Sequence, residues 1–288
     1  MTNTIKILSI IVAFNFFVSA CGAKAKHITD SSKQSQEGSF EDEPQFGEDP
    51  TLEETPEESP APTPSPIVET PKDFRIDQEA EKFKTRYGVN NVYTKIVDNR
   101  GKGDSDLWGA RNMRVVMHGV MYRGGANNVY FDPPRNNSNP LPTTGIKNLC
   151  EEDFSTGVYL YSANYSTAPT SYDCKNTSHQ NNKFQYKQYS PVSKTSKILE
   201  LVYKRIKGEL SGPVYTHCWN GWHYGGLISA IALKQFCGWT NAQADAYWVK
   251  NTDGNSSGYE NLRKIIRDFK PLSQFAIAAE EKAAICIE

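Results

Sequence analysis

The segment that most constrains the fold of this 288-residue chain is GPVYTHCWNGWHYGGLISAIALKQFCG, residues 212–238. Its first part predicts a short strand over 213–217, and the apolar run before Gly238 predicts a buried helix. A glycine-bearing loop joins the two. Loop amides and a helix N-terminus then face one point in space, which attracts anions. A thiolate is favoured there as well, so Cys218 is the candidate nucleophile.

The loop resembles the signature of the cysteine-dependent protein tyrosine and dual-specificity phosphatase superfamily, H-C-x-x-G-x-x-R-[S/T]-G between a strand and a buried helix. His217, Cys218, Gly221 and Gly226 match its His, Cys, first Gly and last Gly. The approach KGELSGPVYTHC and the earlier VMYRGG are also similar to segments of some members. The resemblance therefore spans roughly residues 110–270, although only the loop is specific.

The resemblance implies a single α/β domain with a central, mainly parallel sheet flanked by helices. It also implies that Cys218 is catalytic and forms a phosphocysteine. The residues expected around the substrate are the loop and one arginine from a neighbouring segment: His217, Trp219, Asn220, Gly221, Trp222, His223, Tyr224, Gly225, Gly226 and Arg123. No metal is expected, because the loop histidines and cysteine match no standard zinc spacing.

Two departures from the signature bear on catalysis. Tyr224 stands where the family has its phosphate-gripping arginine, and Gly225 where it has a hydroxyl residue. Loss of such a charge-stabilising group typically lowers the rate on the order of 10²- to 10³-fold. The family's general acid, an Asp about 30 residues before the cysteine, is missing as well, because KFQYKQYSPVSKT holds no acidic residue. Asp153 and Asp173 lie farther upstream and would have to fold back.

Three kinds of side chain are candidates to take over the roles of the missing arginine and general acid, and each also has a purely structural interpretation. His223 supplies a donor near the loop at mildly acid pH, or it caps the helix. Arg123 reaches the loop from another strand end, or it pairs with a core carboxylate. Trp219 and Trp222 wall a pocket with flat apolar faces, or they pack in the interior. The residues alone favour the structural alternatives.

Three functions are compatible with these residues. The first is an envelope phosphatase that hydrolyses a phosphoester with an altered loop. The second is a catalytically silent pseudophosphatase that binds an anionic ligand or a partner. The third is a scaffold whose loop is filled by Trp219 or Tyr224. No cofactor and no nucleic-acid partner is expected for any of them.

The N-terminal residues predict export and anchoring rather than a folded domain. Residues 1–20 combine a polar start, an apolar run and small residues before Cys21, which is typical of an export signal. The ending VSAC resembles the lipobox of bacterial lipoproteins, which implies that Cys21 is lipidated and anchors the protein to a membrane of the cell envelope. Gly22 after the cysteine favours the outer over the inner membrane. An ordinary cleaved signal and an uncleaved anchor are the alternatives.

The segment that follows Cys21 predicts a tether. Asp30 to Asp73 hold thirteen acidic residues and two lysines, with TPEESPAPTPSPIVETP inside. Such a composition predicts a flexible spacer over residues 21–73, with an acidic binding tail as the alternative. Residues 74–288 form the predicted domain and carry 27 Lys and Arg against 20 Asp and Glu, which suits an anionic ligand.

The cysteines predict disulfides, because an exported chain occupies a compartment where they persist. Five cysteines remain when Cys21 is set aside for lipid. The predicted arrangement keeps Cys218 as a thiol. The predicted pairs are Cys150 with Cys174 and Cys237 with Cys286.

The remaining patterns alternate between strands and helices, which predicts an α/β layered domain. The predicted helices cover residues 77–88, 193–208, 225–238, 241–251 and 258–269. NMRVVMHGVMYRGG predicts two strands around a glycine, closed by a Gly124-Gly125 turn, and further strands are predicted over 145–150 and 156–165. NTDGNSSG predicts a turn at Asp253-Gly254 rather than a calcium loop.

Overall fold

The computed structural model describes residues 73–287, which form one α/β domain with a six-stranded sheet and seven α-helices. The strands are β1 Ala110–Met117, β2 Met121–Ala126, β3 Thr156–Tyr159, β4 Ser171–Lys175, β5 Asn181–Gln188 and β6 Val214–Cys218. The helices are α1 Ile76–Tyr87, α2 Thr143–Glu151, α3 Thr195–Ile206, α4 His223–Cys237, α5 Asn241–Lys250, α6 Glu260–Asp268 and α7 Ala279–Ile285. None of these helices combines the length and the apolar character needed to cross a bilayer. The predicted export signal, the lipidated Cys21 and the tether up to residue 72 lie outside the described residues.

The sheet is mixed, with the strand order β1-β2-β6-β3-β5-β4. Its four inner strands run parallel, whereas β1 and β4 pair antiparallel with their neighbours at the two edges. Gly125 of β2 lies beside Cys218 of β6, and Tyr159 of β3 lies beside His217. The carboxyl ends of β2, β6 and β3 therefore meet at one edge of the sheet, where the loop after Cys218 begins.

The helices with strong local signals form as predicted. Helices lie within the predicted ranges 193–208, 241–251 and 258–269. The helix α1 begins one residue before its predicted range 77–88, and α4 begins two residues before its predicted start at 225. Gly88 and Gly238 end α1 and α4 with φ angles of 60° and 71°. A glycine adopts this left-handed conformation without a Cβ clash, so both stops follow from the sequence.

Two predicted elements are wrong, and the strand predicted over 156–165 ends at Tyr159. Residues 145–150 are not a strand but belong to α2, which buries Ile146, Leu149 and Cys150 on one face. The spacing of these three residues is helical, and the short window concealed it. Gly124-Gly125 is not a turn, since both glycines lie within β2, and the chain reverses at Gly119 with φ 64° instead.

Both predicted disulfides are confirmed. Cys150, in the last turn of α2, is bonded to Cys174 of β4, and Cys237, the last residue of α4, is bonded to Cys286 after α7. The first bond ties a helix to the edge hairpin, and the second ties the C-terminal segment to the central helix. Cys218 takes part in neither bond and is buried.

Candidate functional site

The loop of residues 219–222 lies between the last residue of β6, Cys218, and the first residue of α4, His223. Gly221 has a φ angle of 82°, which permits the tight turn from strand to helix. Trp222 is the N-cap residue of α4, and its side chain makes no capping hydrogen bond to the first turn. The first-turn N–H groups of the helix therefore face the same region as the loop.

The four carbonyl groups of this loop all accept hydrogen bonds from β1 and β2. Ala126 N donates to Trp219 O at 3.0 Å, and Asn112 Nδ2 donates to Asn220 O at 3.1 Å. Arg123 Nη2 then donates to the next two carbonyls, those of Gly221 and of Trp222, the latter at 3.2 Å. The loop is thus held by donors of two neighbouring strands, and Trp222 O also accepts the first hydrogen bond of α4, from Gly226 N at 3.2 Å.

This arrangement determines the direction of the loop amides. In a planar trans peptide, the N–H of each residue points opposite to the C=O of the residue before it. Because four successive carbonyls face β1 and β2, the four N–H groups of residues 220–223 point to the opposite side. Successive amides directed to one side, next to a helix N-terminus, are an arrangement that attracts anions.

Two glycines, Gly125 and Gly221, allow the loop to lie against β2. A Cβ on Gly125 would be 2.4 Å from Trp219 O and 2.8 Å from Gly221 N. A Cβ on Gly221 would be 2.6 Å from the carbonyl carbon of Gly124. Backbone meets backbone at these positions, so any side chain would displace the loop. The VMYRGG segment thus has a packing role that its predicted turn did not reveal.

Cys218 lies beneath α4 and is 0% exposed. Its Sγ is 3.8 Å from the point that a Cβ on Gly225 would occupy, and Arg123 Nε is 3.8 Å from the same point. The sulfur and the guanidinium therefore flank Gly225 in the first turn of the helix. The neighbouring Gly226 packs against the indole of Trp248, where an added Cβ would lie at 2.9 Å.

Three arginines are buried on β1 and β2 around the loop: Arg111 and Arg123 are 0% exposed, and Arg114 is 2% exposed. Arg111 Nη1 donates to Asn220 Oδ1 at 3.2 Å, and Arg114 Nη2 donates to Asp253 Oδ1 at 3.0 Å. Burial lowers the pKa of Arg111, and burial with the nearby charge of Arg123 lowers that of Arg114 to about 10. Arg111 and Arg114 remain cationic at neutral pH.

His217 is a fully buried, neutral side chain rather than a group that faces a ligand. Tyr186 Oη lies 2.7 Å from its Nε2, and the carbonyl of Cys218 lies 3.1 Å from its Nδ1. Burial lowers the pKa of His217 to about 4, against a small opposing effect of the hydrogen bond to Cys218 O. His217 thus positions the end of β6 among stacked tyrosines, including Tyr159 at 5.2 Å.

The imidazole of His223 belongs to the packing between α4 and the connection from α5 to α6. It stacks on Tyr259 with a centroid separation of 3.7 Å, and its Nε2 donates to Asn255 O at 2.7 Å. The indole of Trp248 donates to the backbone carbonyl of His223 at 3.0 Å. These contacts give the imidazole of His223 a packing role.

The aromatic residues of the loop pack in the interior. Trp219 stacks on Tyr161 at 4.7 Å, and its Nε1 donates to Tyr159 Oη at 3.1 Å. Tyr224, at the family's arginine position, contacts the same Tyr161 edge-on at 5.0 Å. The indole of Trp222 instead donates to the carboxylate of Asp253. All three residues are less than 10% exposed.

Asp253, in the turn after α5, is a carboxylate that contacts the loop. Trp222 Nε1 donates to its Oδ2 at 3.1 Å, Lys95 Nζ at 2.8 Å, and Arg114 Nη2 binds the other oxygen. Burial alone would raise the pKa of Asp253, but the Lys95 hydrogen bond and the Arg114 charge outweigh it and hold the pKa below its usual value. Asp253 is therefore ionised at neutral pH and suits anchoring the loop better than donating a proton.

The two acidic residues considered as general acids lie at the far edge of the sheet. Asp153 precedes β3, whose first residue, Thr156, pairs with Val214 at the start of β6. Asp173 lies on β4, farther along the sheet at the same end, and is exposed. The loop lies at the opposite end of β6, so neither carboxylate reaches it. The segment 189–194 follows the carboxyl end of β5 and so lies at the same end of the sheet as the loop, but it has no acidic residue.

Sequence reasoning did not identify Arg111, Asn112 and Asp253 as contacts of the loop. Charged residues within the otherwise apolar strand RNMRVVM were the available signal, since a buried arginine requires a partner. Asp253 was predicted only as a turn residue, and it does occupy a turn, with φ 52°. Within residues 73–287, no group of three or more His, Cys, Asp or Glu side chains is placed to hold a metal ion.

Comparison of the sequence with models of known protein families gives no match, and comparison with curated proteins gives none either. The functional argument therefore depends on the geometry of the loop and of the strands behind it.

Proposed function

We propose that this domain binds a phosphate-type oxyanion in the loop after β6, as a phosphatase-like receptor at the bacterial cell envelope. The observation that carries the proposal is the set of four successive loop carbonyls bound by β1 and β2, because it directs four amides to the other side. The strand, loop and helix also occur in the order of the dual-specificity-phosphatase signature, with His217 and Cys218 at the matching positions.

Binding is favoured over hydrolysis by what surrounds the loop. Tyr224 packs against Tyr161 where the signature has an arginine, so the loop itself provides no bidentate cation. Asp153 and Asp173 lie at the far edge of the sheet, and Asp253 is held in its ionised form. A departing alkoxide would therefore have to take its proton from water, which is a weak general acid.

Phosphoester hydrolysis is the second candidate function, and the position of Cys218 favours it. Its sulfur and Arg123 Nε each lie 3.8 Å from the point that a Cβ on Gly225 would occupy, so the cation lies within 7.6 Å of the sulfur. In this reaction the thiolate attacks phosphorus, the P–S bond forms and the P–O bond to the leaving group breaks. Water then cleaves the P–S bond, which releases inorganic phosphate and restores the thiolate.

The location at the envelope is part of the proposal and depends on the sequence of residues 1–73. A lipidated Cys21 would anchor the chain, and the acidic, proline-rich segment would hold the domain away from the bilayer. The domain has seven more basic than acidic residues, so the anchored protein would present it to anionic ligands outside the membrane.

One experiment separates the two candidates. The full chain, purified in detergent, is titrated with sulfate and vanadate by calorimetry and assayed for phosphate release from a panel of phosphomonoesters between pH 5 and 8. The receptor proposal predicts oxyanion binding by the wild type and by Cys218→Ser, with release by neither. Release that disappears in Cys218→Ser identifies the hydrolase instead. Absence of both binding and release refutes both candidates.

Restoring the arginine of the signature tests whether its loss abolished hydrolysis. Tyr224→Arg places a guanidinium at the family's position, and Tyr224→Phe is the matched control that keeps the ring contact with Tyr161. If hydrolysis was lost with the arginine, release should appear in Tyr224→Arg and not in Tyr224→Phe. If neither variant releases phosphate, the missing arginine is not the only cause of inactivity, and the missing general acid contributes to it.

A further inference from the structure

Arg111 and Arg123 are buried cations whose charge is not balanced by any carboxylate in salt-bridge contact within residues 73–287. Two other buried arginines show the usual arrangement: Arg114 is paired with Asp253 at 3.0 Å and Arg205 with Glu79 at 2.6 Å. Burial of a charge without a counter-ion is strongly unfavourable. Two such cations on adjacent strands, Arg111 on β1 and Arg123 on β2, therefore indicate that an anion lies close to them in the functional state.

The remaining donors of these arginines are also buried. Among the residues that the structure describes, Arg123 Nε and Nη1 and Arg111 Nε find no hydrogen-bond partner. The bonds that the two side chains do make are all to the loop: Arg111 to the Asn220 amide oxygen, and Arg123 to two loop carbonyls. Both guanidinium groups are thus held against the loop, Arg123 by backbone carbonyls and Arg111 by the side chain of Asn220. From there their charge acts on whatever the loop amides bind.

One departure from the phosphatase signature, Gly225, lies in the first turn of α4 next to Arg123. Gly225 replaces the hydroxyl residue of the signature, and the point where its Cβ would lie is 3.8 Å from Arg123 Nε. A Cβ on Gly226 would lie 3.7 Å from Arg123 Nη2. The first turn of α4 thus has no side chain at the two positions nearest the guanidinium, while Tyr224 carries the ring that replaced the loop arginine.

We propose that Arg111 and Arg123 replace the missing loop arginine from behind the loop, as positioning cations that make the site selective for doubly charged tetrahedral oxyanions such as phosphomonoester dianions. This inference rests on the proposed anion site. The amides alone would bind a singly charged and a doubly charged oxyanion with similar geometry. Two fixed cations in a dry environment add an attraction that grows with the charge of the ligand.

The test compares two anions of the same shape and different charge. Sulfate is a tetrahedral dianion and perchlorate a tetrahedral monoanion, and each is titrated into the full chain by calorimetry at constant ionic strength. We expect the wild type to bind sulfate at least about tenfold more tightly than perchlorate, since one additional close charge pair in a partly buried site is worth a factor of this order. Equal affinities for the two anions would overturn the inference and leave the anion site in place. Binding of neither would refute the site itself.

Variants test the residues. Arg111→Gln should lower the affinity for sulfate about tenfold and reduce the sulfate-to-perchlorate ratio, whereas Arg111→Lys, which keeps the charge, should restore most of the ratio. Arg205→Gln is the matched control, because Arg205 is equally buried but paired with Glu79 far from the loop, and its loss should leave the ratio unchanged. An unchanged ratio in Arg111→Gln, or an equal change in Arg205→Gln, would contradict the role of Arg111.

A measurement on the wild type avoids any effect of the variants on folding. A phosphomonoester changes from monoanion to dianion with a second pKa of about 6. Its affinity should therefore rise by about tenfold between pH 5 and pH 7.5, while the affinity for sulfate, a dianion throughout, stays constant. A phosphomonoester that binds equally well at both pH values would contradict the selectivity.

Discussion

Gly125→Ala tests whether the loop depends on its contact with β2. The added methyl carbon would lie 2.4 Å from Trp219 O and 2.6 Å from the carbonyl carbon of Asn220. Carbon atoms in ordinary contact are about 3.5–4.0 Å apart, so loop and strand would have to separate by about 1 Å. A shift of that size breaks the 3.0 Å hydrogen bond from Ala126 N to Trp219 O. Overpacking costs about 1–3 kcal/mol and the lost bond about 1 kcal/mol, which gives a total of about 2–4 kcal/mol.

The assay is urea unfolding of the full chain, followed by tryptophan fluorescence, together with a sulfate titration. Gly125→Ala should lower the free energy of unfolding by this amount and abolish sulfate binding, because the amides lose their common direction. Gly225→Ala is the matched control for stability: its Cβ would meet only contacts of 3.4 Å and more, and alanine in a helix gains about 0.5–1 kcal/mol over glycine. If Gly125→Ala unfolds like the wild type and still binds sulfate, the reasoning about the loop is refuted.

Three further predictions concern other parts of the chain. The double variant of Cys237 and Cys286 to Ser should lose about 2–4 kcal/mol of unfolding free energy, since its disulfide closes a loop of 49 residues, and an equal urea midpoint with and without the bond would contradict this. Burial holds the pKa of His217 at about 4, so between pH 6.5 and pH 4 only the unfolded chain gains this proton, and the free energy of unfolding should fall by up to about 1.4 kcal/mol per pH unit. His217→Gln should reduce that slope, and a slope as steep as that of the wild type would show that other groups cause it. Cys21→Ser should abolish incorporation of labelled fatty acid and release the protein from the membrane fraction, whereas continued labelling would refute the anchor.

Elements with local signals were predictable from the sequence. The strand β6 and the helix α4 were predictable in this way, because a β-rich run precedes the loop and an apolar run follows it. The export signal predicted that disulfides form, whereas their connectivity is not fixed by the cysteine count, and the structure shows the pairing that was proposed. The hairpin of β4 and β5 was not predicted, since NNKFQYKQ is largely polar and lies at the edge of the sheet.

The contacts that orient the loop were beyond sequence reasoning for a different reason. Arg111 and Asn220 are 109 residues apart, and Arg123 is 98 residues from the Gly221 carbonyl that it binds. Only the register of β1, β2 and β6 brings these residues together, and no local pattern encodes a register between distant strands. The arginine that is absent from the loop was visible in the sequence, whereas the arginines behind the loop required the fold.

The direction of the loop amides is the central claim, and NMR tests it most directly. The full chain, labelled with ¹⁵N, is titrated with sulfate, and the amide signals of residues 220–223 are followed with those of the rest of the chain. The account predicts that these four amides shift together, with one dissociation constant, and that they shift more than any others. If the largest shifts fall elsewhere in the domain, or if these four signals do not move, the loop does not form an anion site.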